Sequence, residues 1–356
     1  MSLRQFSLTD FRNLNSTTLD FHPRVNLIYG ENGSGKTSLL EAIHTICQAQ
    51  SFRQHHLKKC IKHGSDRFLL FAKFDGYKAG ISRSSNKLEI RVNGESINRQ
   101  SELVRLTPVK VFNADTFQLL TGPPDFRRKY LDWCLFHVEQ SYVHNWLKFR
   151  QALRQRNRLL KERRNLHLLD YWDDHLVEPS NVLGSLRKDY CEKISTLMST
   201  EFKELSGDMN ITVAYHSGWD ESVGLLESLK EHKQKDIRNG FTGKGVHRDN
   251  IILLSNGRPV KDILSRGQLK RLTIVLLLAA LKIVAKTKAY PIILLIDDLS
   301  AEIDQKSEEV IYTALLNIDL QVFITNIRES VPGAIKGKDF KMFHVEHGMI
   351  KPRKFR

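Results

Sequence analysis

Short apolar runs that alternate with amphipathic segments mark both ends of this chain. Residues 25–29 (VNLIY) and 292–296 (IILLI) each have the length of one strand. Nearly continuous apolar runs of that length are typical of strands buried on both faces of a parallel sheet. Residues 38–49 follow the first run, and their apolar side chains recur with the period of a helix. The pattern therefore predicts an α/β fold with buried central strands.

The middle of the chain has two other patterns. Strand-like segments predict an additional antiparallel layer, and they cover residues 68–74, 87–92 and 108–112. From about residue 122 to residue 207 the apolar positions keep a helical period, and residues 210–215 (NITVAY) return to a strand pattern. We therefore expect a mixed sheet with an antiparallel layer, interrupted by a helical insertion.

The turn between the first buried run and its helix has the full pattern of a phosphate-binding loop. It consists of Gly30, Glu31, Asn32, Gly33, Ser34, Gly35, Lys36 and Thr37. Backbone N–H groups of such a turn, with the positive helix N-terminus behind them, can surround a polyphosphate. Lys36 can then reach the β- and γ-phosphates, and the Thr37 hydroxyl can bind Mg²⁺. The loop predicts a nucleoside triphosphate site with ATP and Mg²⁺ as cofactors, against the alternative of a chance Gly/Ser turn.

Two aspartates, Asp297 and Asp298, follow directly after the second buried run. Ligands of open α/β sheets bind at the carboxyl ends of the strands. We therefore expect Asp297 to hold Mg²⁺ and Asp298 to orient or deprotonate the attacking water. An apolar run followed by acids is common by itself, so this interpretation depends on its pairing with the phosphate loop. Lys36, Asp297 and Asp298 are the candidate catalytic residues of an ATPase.

Residues 264–270 (LSRGQLK) resemble the LSGGQ signature motif of ABC-type ATPases, and residues 300–304 (SAEID) are similar to the D-loop of the same superfamily. The resemblance implies that Ser265, Gly267 and Gln268 contact the γ-phosphate held by a second subunit. ATP would then join two copies of the chain as a homodimer. Independently of that role, Ser265 is expected to cap the apolar helix over residues 269–285.

The spacing of these motifs, together with several further segments, indicates which family within the superfamily the chain resembles. About 230 residues separate Thr37 from Ser265, as in DNA-repair and chromosome-maintenance ATPases with an inserted helical region. Segments similar to RecF-family motifs occur in that family's order, at residues 8–14 (LTDFRNL), 51–53 (SFR), 61–64 (IKHG), 123–132 (PPDFRRKYLD) and 245–250 (GVHRDN). The chain is identified as a member of the RecF family over nearly its whole length. The resemblance also assigns Arg12 to the nucleotide site.

The RecF resemblance implies a function in recombinational DNA repair and replication. An ATP-driven dimer would bind double-stranded DNA and single/double-strand junctions, and would act with RecO and RecR to direct RecA onto gapped DNA and so support the SOS response. Its slow, DNA-stimulated ATPase would serve as a conformational switch. Two other classes stay open: a nucleotide-driven module that powers a non-DNA partner, and a nucleotide-dependent scaffold without productive hydrolysis.

Some positions depart from the patterns that the chain resembles. Val246 and Asn250 replace a proline and an aspartate of the family's box, and Asn326 stands where transporter relatives have a switch histidine. ABC ATPases usually have a glutamate at the position of Asp298, whose carboxylate is one methylene shorter. A misplacement on the order of 1 Å can lower a rate about a hundredfold. We therefore expect slow hydrolysis.

The motifs together predict a P-loop ABC-type ATPase head that an inserted helical lobe splits in two. Residues 1–121 would form the N-terminal half of the head with the phosphate loop. Residues 122–207 would form the inserted lobe. Residues 208–356 would form the C-terminal half with the signature motif, the acidic strand and the D-loop.

The charge balance indicates a polyanionic partner. The chain has 55 lysines and arginines against 40 acidic residues, a formal net charge of +15, and such a surplus fits DNA. Residues 148–164 hold eight of the basic residues and one acid on a predicted amphipathic helix. Arg154, Arg158 and Lys161 are the candidate DNA contacts, with a merely solvated helix face as the alternative.

Other sequence signals are weak or absent. The four cysteines form no C-x-x-C pair, which indicates reduced thiols, and the histidine pairs lack the further ligands of a zinc site. The N-terminus has no signal-peptide core, and the most apolar segment, residues 274–285, is too short to span a bilayer. We expect a cytoplasmic protein without a membrane partner.

Overall fold

The computed structural model of the chain describes residues 2–200, 210–287 and 292–353. These residues belong to two compact units. The first consists of Met1–Thr116 and Ala285–Arg356, and the second of Phe117–Val284. The phosphate loop and the two aspartates thus belong to the first unit, whereas the helical segment and the signature motif belong to the second. The expected boundary between residues 207 and 208 lies outside the described ranges, and the division into three segments stays a prediction.

In chain order, the strands are β1 Leu3–Thr9, β2 Thr17–Asp20, β3 Val25–Tyr29, β4 Arg67–Phe74, β5 Tyr77–Ser84, β6 Leu88–Val92, β7 Glu95–Ser96, β8 Val109–Phe112, β9 Ile211–His216, β10 Asn250–Ser255, β11 Arg258–Pro259, β12 Ile292–Ile296, β13 Leu320–Asn326, β14 Lys341–Glu346 and β15 Met349–Arg353. The helices are α1 Lys36–Gln48, α2 Gln100–Leu106, α3 Gln118–Thr121, α4 Pro124–Val138, α5 Gln140–Glu162, α6 Leu169–Thr200, α7 Gly224–Asn239, α8 Val260–Ile263, α9 Arg266–Thr287 and α10 Gln305–Leu316.

A mainly parallel sheet with the strand order β15-β14-β3-β13-β12-β8 is the centre of the first unit. Every residue of β12 is buried, and the strand lies between β13 and β8, so the predicted central strand is confirmed. The predicted place of residues 108–112 in the antiparallel layer is wrong, because β8 pairs in parallel with β12. The sequence of a four-residue strand (VKVF) does not indicate whether the strand pairs in parallel or antiparallel. The neighbouring strand β12 determines this.

The antiparallel sheet of the first unit has the order β2-β1-β4-β5-β6-β7. Along β4 exposed and buried residues alternate without exception, as expected when one face of a sheet packs and the other meets water. The buried face, α1 and the parallel sheet share one core, to which Leu70, Ile43 and Ile293 belong. A fully buried side chain of this size contributes about 1.5–3 kcal/mol to stability. This core fixes α1, and with it the phosphate loop at the N-terminus of α1.

The second unit is built on a helical hairpin of α5 and α6, and it also contains the three-stranded sheet β11-β10-β9. The helices are antiparallel, because Arg156 meets Asp173 near the turn and Tyr142 meets Arg187 farther from it. Arg163, at the end of α5, takes a left-handed backbone conformation with φ 52°. The helical character predicted for this segment is confirmed as far as residue 200.

Arg156 is fully buried, although by sequence it only interrupts the apolar stripe of α5. Its guanidinium forms ion pairs with Asp173 of α6 and Asp236 of α7, and it donates a hydrogen bond of 2.9 Å to the Thr242 hydroxyl. A buried charge is tolerated only when it is paired and hydrogen-bonded. The arginine therefore connects both helices of the hairpin to α7 and to the loop that follows it.

A second buried arginine, Arg187, joins two of the motif segments. Its guanidinium nitrogens lie 2.5 Å from Asp132 and 2.5 Å from Asp249. Asp132 ends the segment at residues 123–132, and Asp249 belongs to the box at residues 245–250. Tyr215 donates a further hydrogen bond of 2.8 Å to Asp249. Two motifs that are far apart in the sequence are thus parts of one ionic network around the buried Arg187.

We predict that Arg156→Met lowers the free energy of unfolding by about 3–5 kcal/mol, because it leaves two carboxylates buried without their cation. The matched control is Arg154→Met on the exposed face of the same helix, for which the change should stay within about 0.5 kcal/mol. Urea denaturation followed by circular dichroism measures both. Equal stability of the two variants would contradict a structural role for Arg156.

Candidate nucleotide site

The phosphate loop connects β3 to α1, as the sequence predicts. At two positions of the loop glycine is required for two reasons: φ is positive, and a Cβ atom would clash with a neighbouring segment. A Cβ atom on Gly30 would lie 2.1 Å from the backbone oxygen of Val345, so only glycine permits this approach. Gly35 has φ 120° directly before α1, and a Cβ atom there would lie 2.8 Å from a methyl group of Leu14. The loop is therefore held closely by neighbouring chain segments.

The Lys36 ammonium lies across this loop. It donates hydrogen bonds of 2.6 Å to the backbone oxygen of Gly30 and 2.9 Å to that of Glu31. Burial lowers the pKa of Lys36, while the negative charges of Asp298 and Asp297 act against that shift. The cation is thus folded back over the turn, where it can meet a β- or γ-phosphate.

Asp297 lies between two hydroxyl groups. The Thr37 Oγ1 atom is 3.0 Å from each of its carboxylate oxygens. On the other side, the Thr325 hydroxyl donates to Asp297 Oδ1 over 3.0 Å and accepts the backbone N–H of Asp298 over 2.9 Å. A hydroxyl and a carboxylate from facing elements are the oxygen donors that Mg²⁺ prefers. Thr37 and Asp297 therefore fit the metal that the sequence predicts for them.

Asp298 is held in a strained conformation beside this pair. Its φ is 55°, a left-handed value that costs a non-glycine residue on the order of 1–3 kcal/mol and is found most often at functional sites. Burial raises the pKa of Asp298, Asp297 raises it further, and Lys36 opposes the shift. Among the described residues no group donates a hydrogen bond to its buried Oδ1 atom. That atom can therefore accept a hydrogen bond from a reacting water.

These side chains surround a cavity of about 470 Å³. It is lined by Asn13, Asn32, Gly33, Gly35, Lys36, Thr37, Ser38, Arg53, Asp297 and Asp298. Glu31 and Ser34 line a neighbouring cleft together with Asn32 and Gly33. The structure thus brings the predicted loop residues and both aspartates to one place, although the chain separates the loop from the aspartates by more than 250 residues.

Sequence reasoning missed four side chains at this site: Asn13, Ser38, Arg53 and Thr325. The Ser38 hydroxyl donates to Asn13 Oδ1 over 2.9 Å, which ties α1 to the turn after β1. Asn13 and Arg53 belong to segments with family resemblance, but nothing in their sequence context indicated a position in the cavity. Thr325 could have been suspected as the polar residue near the end of the buried run Val322, Phe323 and Ile324.

Arg12 does not line the cavity. Its guanidinium pairs with buried Glu41 of α1 through bonds of 2.9 and 2.7 Å, and it also donates to the backbone oxygen of Lys59 over 2.8 Å. Burial alone would lower the pKa of Arg12, but the hydrogen bond and the charge of Glu41 outweigh burial and raise it. The structure thus gives Arg12 a position that supports α1, and the nucleotide contact expected for Arg12 stays a prediction.

The signature residues form a capping box at the start of α9. Ser265 Oγ accepts the backbone N–H of Gln268 over 3.3 Å, and Gln268 Oε1 accepts the backbone N–H of Ser265 over 2.9 Å. The predicted capping role of Ser265 is therefore confirmed. Ser265 and Gly267 are both accessible to solvent. They belong to the second unit, and their contact with a γ-phosphate in a partner subunit stays a prediction.

The candidate DNA contacts Arg154, Arg158 and Lys161 are all exposed on α5, on the face opposite the buried Arg156. Of these three, in the part of the chain that the structure describes, only Arg158 has an ion-pair partner, Glu162, at 2.9 Å one turn later on the same helix. Within the described ranges, no three histidine, cysteine or acidic side chains are grouped as metal ligands. No helix in those ranges is long and apolar enough to cross a bilayer.

Comparison with known proteins gives one consistent family. The family model for the RecF/RecN/SMC N terminal domain matches residues 2–351. The DNA replication and repair protein RecF of Idiomarina loihiensis is 38% identical over 352 residues, which cover 98% of this chain and 99% of that protein. RecF of Shewanella woodyi is 34% identical, with 98% of each chain covered.

Solved structures agree with this finding. The chain is similar to the structure of the recombination mediator protein RecF with ATP in the RecFOR pathway, with a TM-score of 0.87, 26% identity, and coverage of 99% of this chain and 98% of the other. It is also similar to an Smc head bound to the C-winged helix domain of ScpA, with a TM-score of 0.62 and 14% identity over 99% of this chain and 97% of the other. The second likeness shows the fold alone.

We predict that Lys36→Met weakens ATP binding at least tenfold while the fold persists, because the change keeps the buried stem but removes the ammonium directed at the phosphates. Isothermal titration with ATP measures the affinity, and thermal unfolding without nucleotide is the control for folding. Unchanged ATP affinity would contradict the assignment of the phosphate loop.

Proposed function

Because the chain belongs to the RecF family, we propose that it is an ATP-driven DNA-binding switch of recombinational repair and replication. The observation that carries this proposal is the meeting of Lys36, Thr37, Asp297 and Asp298 around one cavity. Relatives named as DNA replication and repair proteins support the process, and a relative solved with ATP supports the nucleotide. The protein would act in the cytoplasm, on chromosomal DNA.

The residues of the cavity have different roles in ATP hydrolysis. The loop amides and Lys36 bind and orient the phosphates, and Asp298 orients the attacking water through its free Oδ1 atom. Thr37 and Asp297 would hold Mg²⁺, which neutralises charge on the β- and γ-phosphates. The raised pKa of Asp298 suits a group that accepts a proton during the reaction.

Turnover at this site is slow. The Asp298 carboxylate is one methylene shorter than a glutamate, and a misplacement on the order of 1 Å can lower the rate about a hundredfold. Asn326 provides an amide where a switch histidine would give a further γ-phosphate contact. Slow hydrolysis sets how long the ATP-bound state persists on DNA. Stimulation of hydrolysis by DNA ends that state and releases the protein.

ATP binding joins two copies of the chain. In the dimer, Ser265 and the backbone around Gly267 and Gln268 of one copy contact the γ-phosphate held by the other. The capping box supports this role, because a serine hydroxyl at the N-terminus of a long helix lies in a region that favours anions. Both Ser265 and Gly267 are accessible to solvent, as a contact between copies requires.

The exposed cations of α5 bind duplex DNA and single/double-strand junctions in the dimer. The net charge of +15 supports a polyanionic partner, and Arg154, Arg158 and Lys161 are the cations that α5 offers for it. In repair, the dimer would act with RecO and RecR to promote loading of RecA on gapped DNA. These partners are supported by the similarity to the ATP-bound RecF, which is a recombination mediator protein of the RecFOR pathway.

We predict that Asp298→Asn reduces single-turnover phosphate release at least a hundredfold while ATP still binds, because the amide keeps the shape but cannot accept a proton. The ATP-bound dimer should then accumulate in sedimentation experiments. Asp297→Asn is the matched comparison and should weaken Mg²⁺ binding as well. An Asp298→Asn protein that hydrolyses ATP at the parental rate would remove this residue from the mechanism.

A separate prediction concerns α5. Changing Arg154, Arg158 and Lys161 to glutamate should weaken duplex binding by at least tenfold and lower the slope of log affinity against log salt by about 2.7, at about 0.9 per lost phosphate contact. Fluorescence anisotropy over a salt series measures both quantities. ATP affinity is the control and should not change. If duplex affinity and slope stay at the parental values, α5 is only a solvated helix.

A further inference from the structure

The outward face of the antiparallel sheet is not used by the core or by the nucleotide cavity. Strand pairing places Phe71 of β4 opposite Ser7 of β1 and Gly80 of β5, and Gly80 opposite Arg91 of β6. Leu69, two residues from Phe71, points to the same side. Phe71 and Leu69 are each 39% exposed. The core lies on the opposite face of the sheet, so the exposed residues are not needed for its packing.

Four cations share this face of the sheet with Phe71: Arg67, Lys73, Lys78 and Arg91. All four are exposed, and within the described part of the chain none of them forms an ion pair. Two acidic residues lie on the same face, Glu89 two residues from Arg91 on β6 and Asp20 on β2. The hydrogen bond and charge of Lys87, and then the charges of Arg91 and Arg67, lower the pKa of Glu89. Glu89 pairs with Lys87 at 2.5 Å, and Asp20 accepts a hydrogen bond of 2.9 Å from Gln5.

Lys73 and Lys78 stand directly opposite each other on β4 and β5. Like charges in that arrangement destabilise a sheet, because their side chains are only about 5 Å apart at Cβ. An anion bound between them removes the repulsion. The backbone positions of the two lysines lie one residue pair beyond Phe71 on the same face, at about 7 Å along the strand.

Gly80 leaves the side of the Phe71 ring uncovered. Its φ is not among the positive values of the chain, and a Cβ atom placed on it would meet only Leu70 O at 3.9 Å and Phe71 Cδ2 at 4.0 Å. Neither the backbone nor the available space therefore requires glycine. A glycine inside a strand weakens it and often marks a bulge, a bend, or a close approach by a ligand or another backbone. The pairing around Gly80 is regular, which argues against a bulge.

We propose that this face, formed by Phe71, Gly80, Lys73, Lys78 and Arg91, binds single-stranded DNA. A base stacks on the Phe71 ring over the space left by Gly80, and the neighbouring phosphates meet the two lysines and Arg91. Aromatic rings on a sheet with flanking cations are a general means of binding unpaired bases. Bases of a duplex are already stacked on each other and cannot use the ring.

This surface belongs to the first unit and α5 to the second. It deepens the proposed function by giving the single-stranded side of a gap its own binding site. It rests on the proposed function only because it takes DNA to be the anionic partner of this protein. Binding to the sheet needs no nucleotide, so it is measured without ATP. Failure of ATP-dependent dimerisation would therefore leave this inference standing, and its own failure would leave the ATPase switch standing.

The test is fluorescence anisotropy with a dye-labelled oligothymidine and a duplex of equal length, over a salt series and without nucleotide. Phe71→Thr keeps a good strand former and should weaken single-strand binding roughly ten- to hundredfold with little change of the salt slope. Lys73→Thr with Lys78→Thr should lower that slope by about 1.4, at about 0.7 per contact. Gly80→Thr should weaken single-strand binding by covering the ring.

Stability separates a binding role from a structural one. The double lysine variant relieves a repulsion and Gly80→Thr improves the strand, so both should unfold at or above the parental temperature while they bind less DNA. The matched control is Lys336→Thr, which removes an exposed cation of the same unit that lies outside this sheet. It should change single-strand binding less than twofold.

Three outcomes would overturn the proposal. The first is parental single-strand affinity in the Phe71 and lysine variants. The second is an equal loss on the duplex, which would indicate a general phosphate patch without base stacking. The third is a loss of self-association with unchanged single-strand binding, which would make the face a contact between copies of the chain.

Discussion

The Asp297 carboxylate, held between the hydroxyls of Thr37 and Thr325, is the contact on which the nucleotide site depends. Its three members come from the start of α1 and the ends of β12 and β13. Parallel pairing puts those ends at one edge of the sheet, because Ile296 lies opposite Ile324 and Asn326 opposite Tyr29. A slip in register by one residue would turn every side chain of these buried strands to the other face and disrupt their close packing. The same packing that stabilises the fold therefore positions the chemistry.

In the second unit, two buried arginines hold separate chain segments together. Arg156 joins α5, α6 and α7, and Arg187 joins the segment that ends at Asp132 to the box that contains Asp249. Replacing such a network by apolar residues can leave stability unchanged, but removal of one partner is strongly destabilising. Each of these two segments thus supplies a carboxylate to the same arginine, Asp249 fully buried and Asp132 partly exposed.

Local energetic costs coincide with the sites to which we assign function. Asp298 has a left-handed backbone, Lys73 faces Lys78 across a strand pair, and Gly80 interrupts a strand that would tolerate a larger residue. Each feature lowers stability, and the shared core of two sheets and α1 compensates for it. A fold with a large buried core can retain such features where a ligand uses them.

The sequence by itself determined the phosphate loop, the acidic strand, the helical insertion and the cap at Ser265, because each is a local pattern of period, turn chemistry or spacing. Only the tertiary structure decided that β8 joins the parallel sheet, that Arg12 pairs with Glu41, that Arg156 is buried, and that Asn13 and Arg53 line the cavity. Those facts depend on which distant segment lies opposite a residue. A single sequence records what a residue can do, whereas the packing of the chain decides which partner it meets.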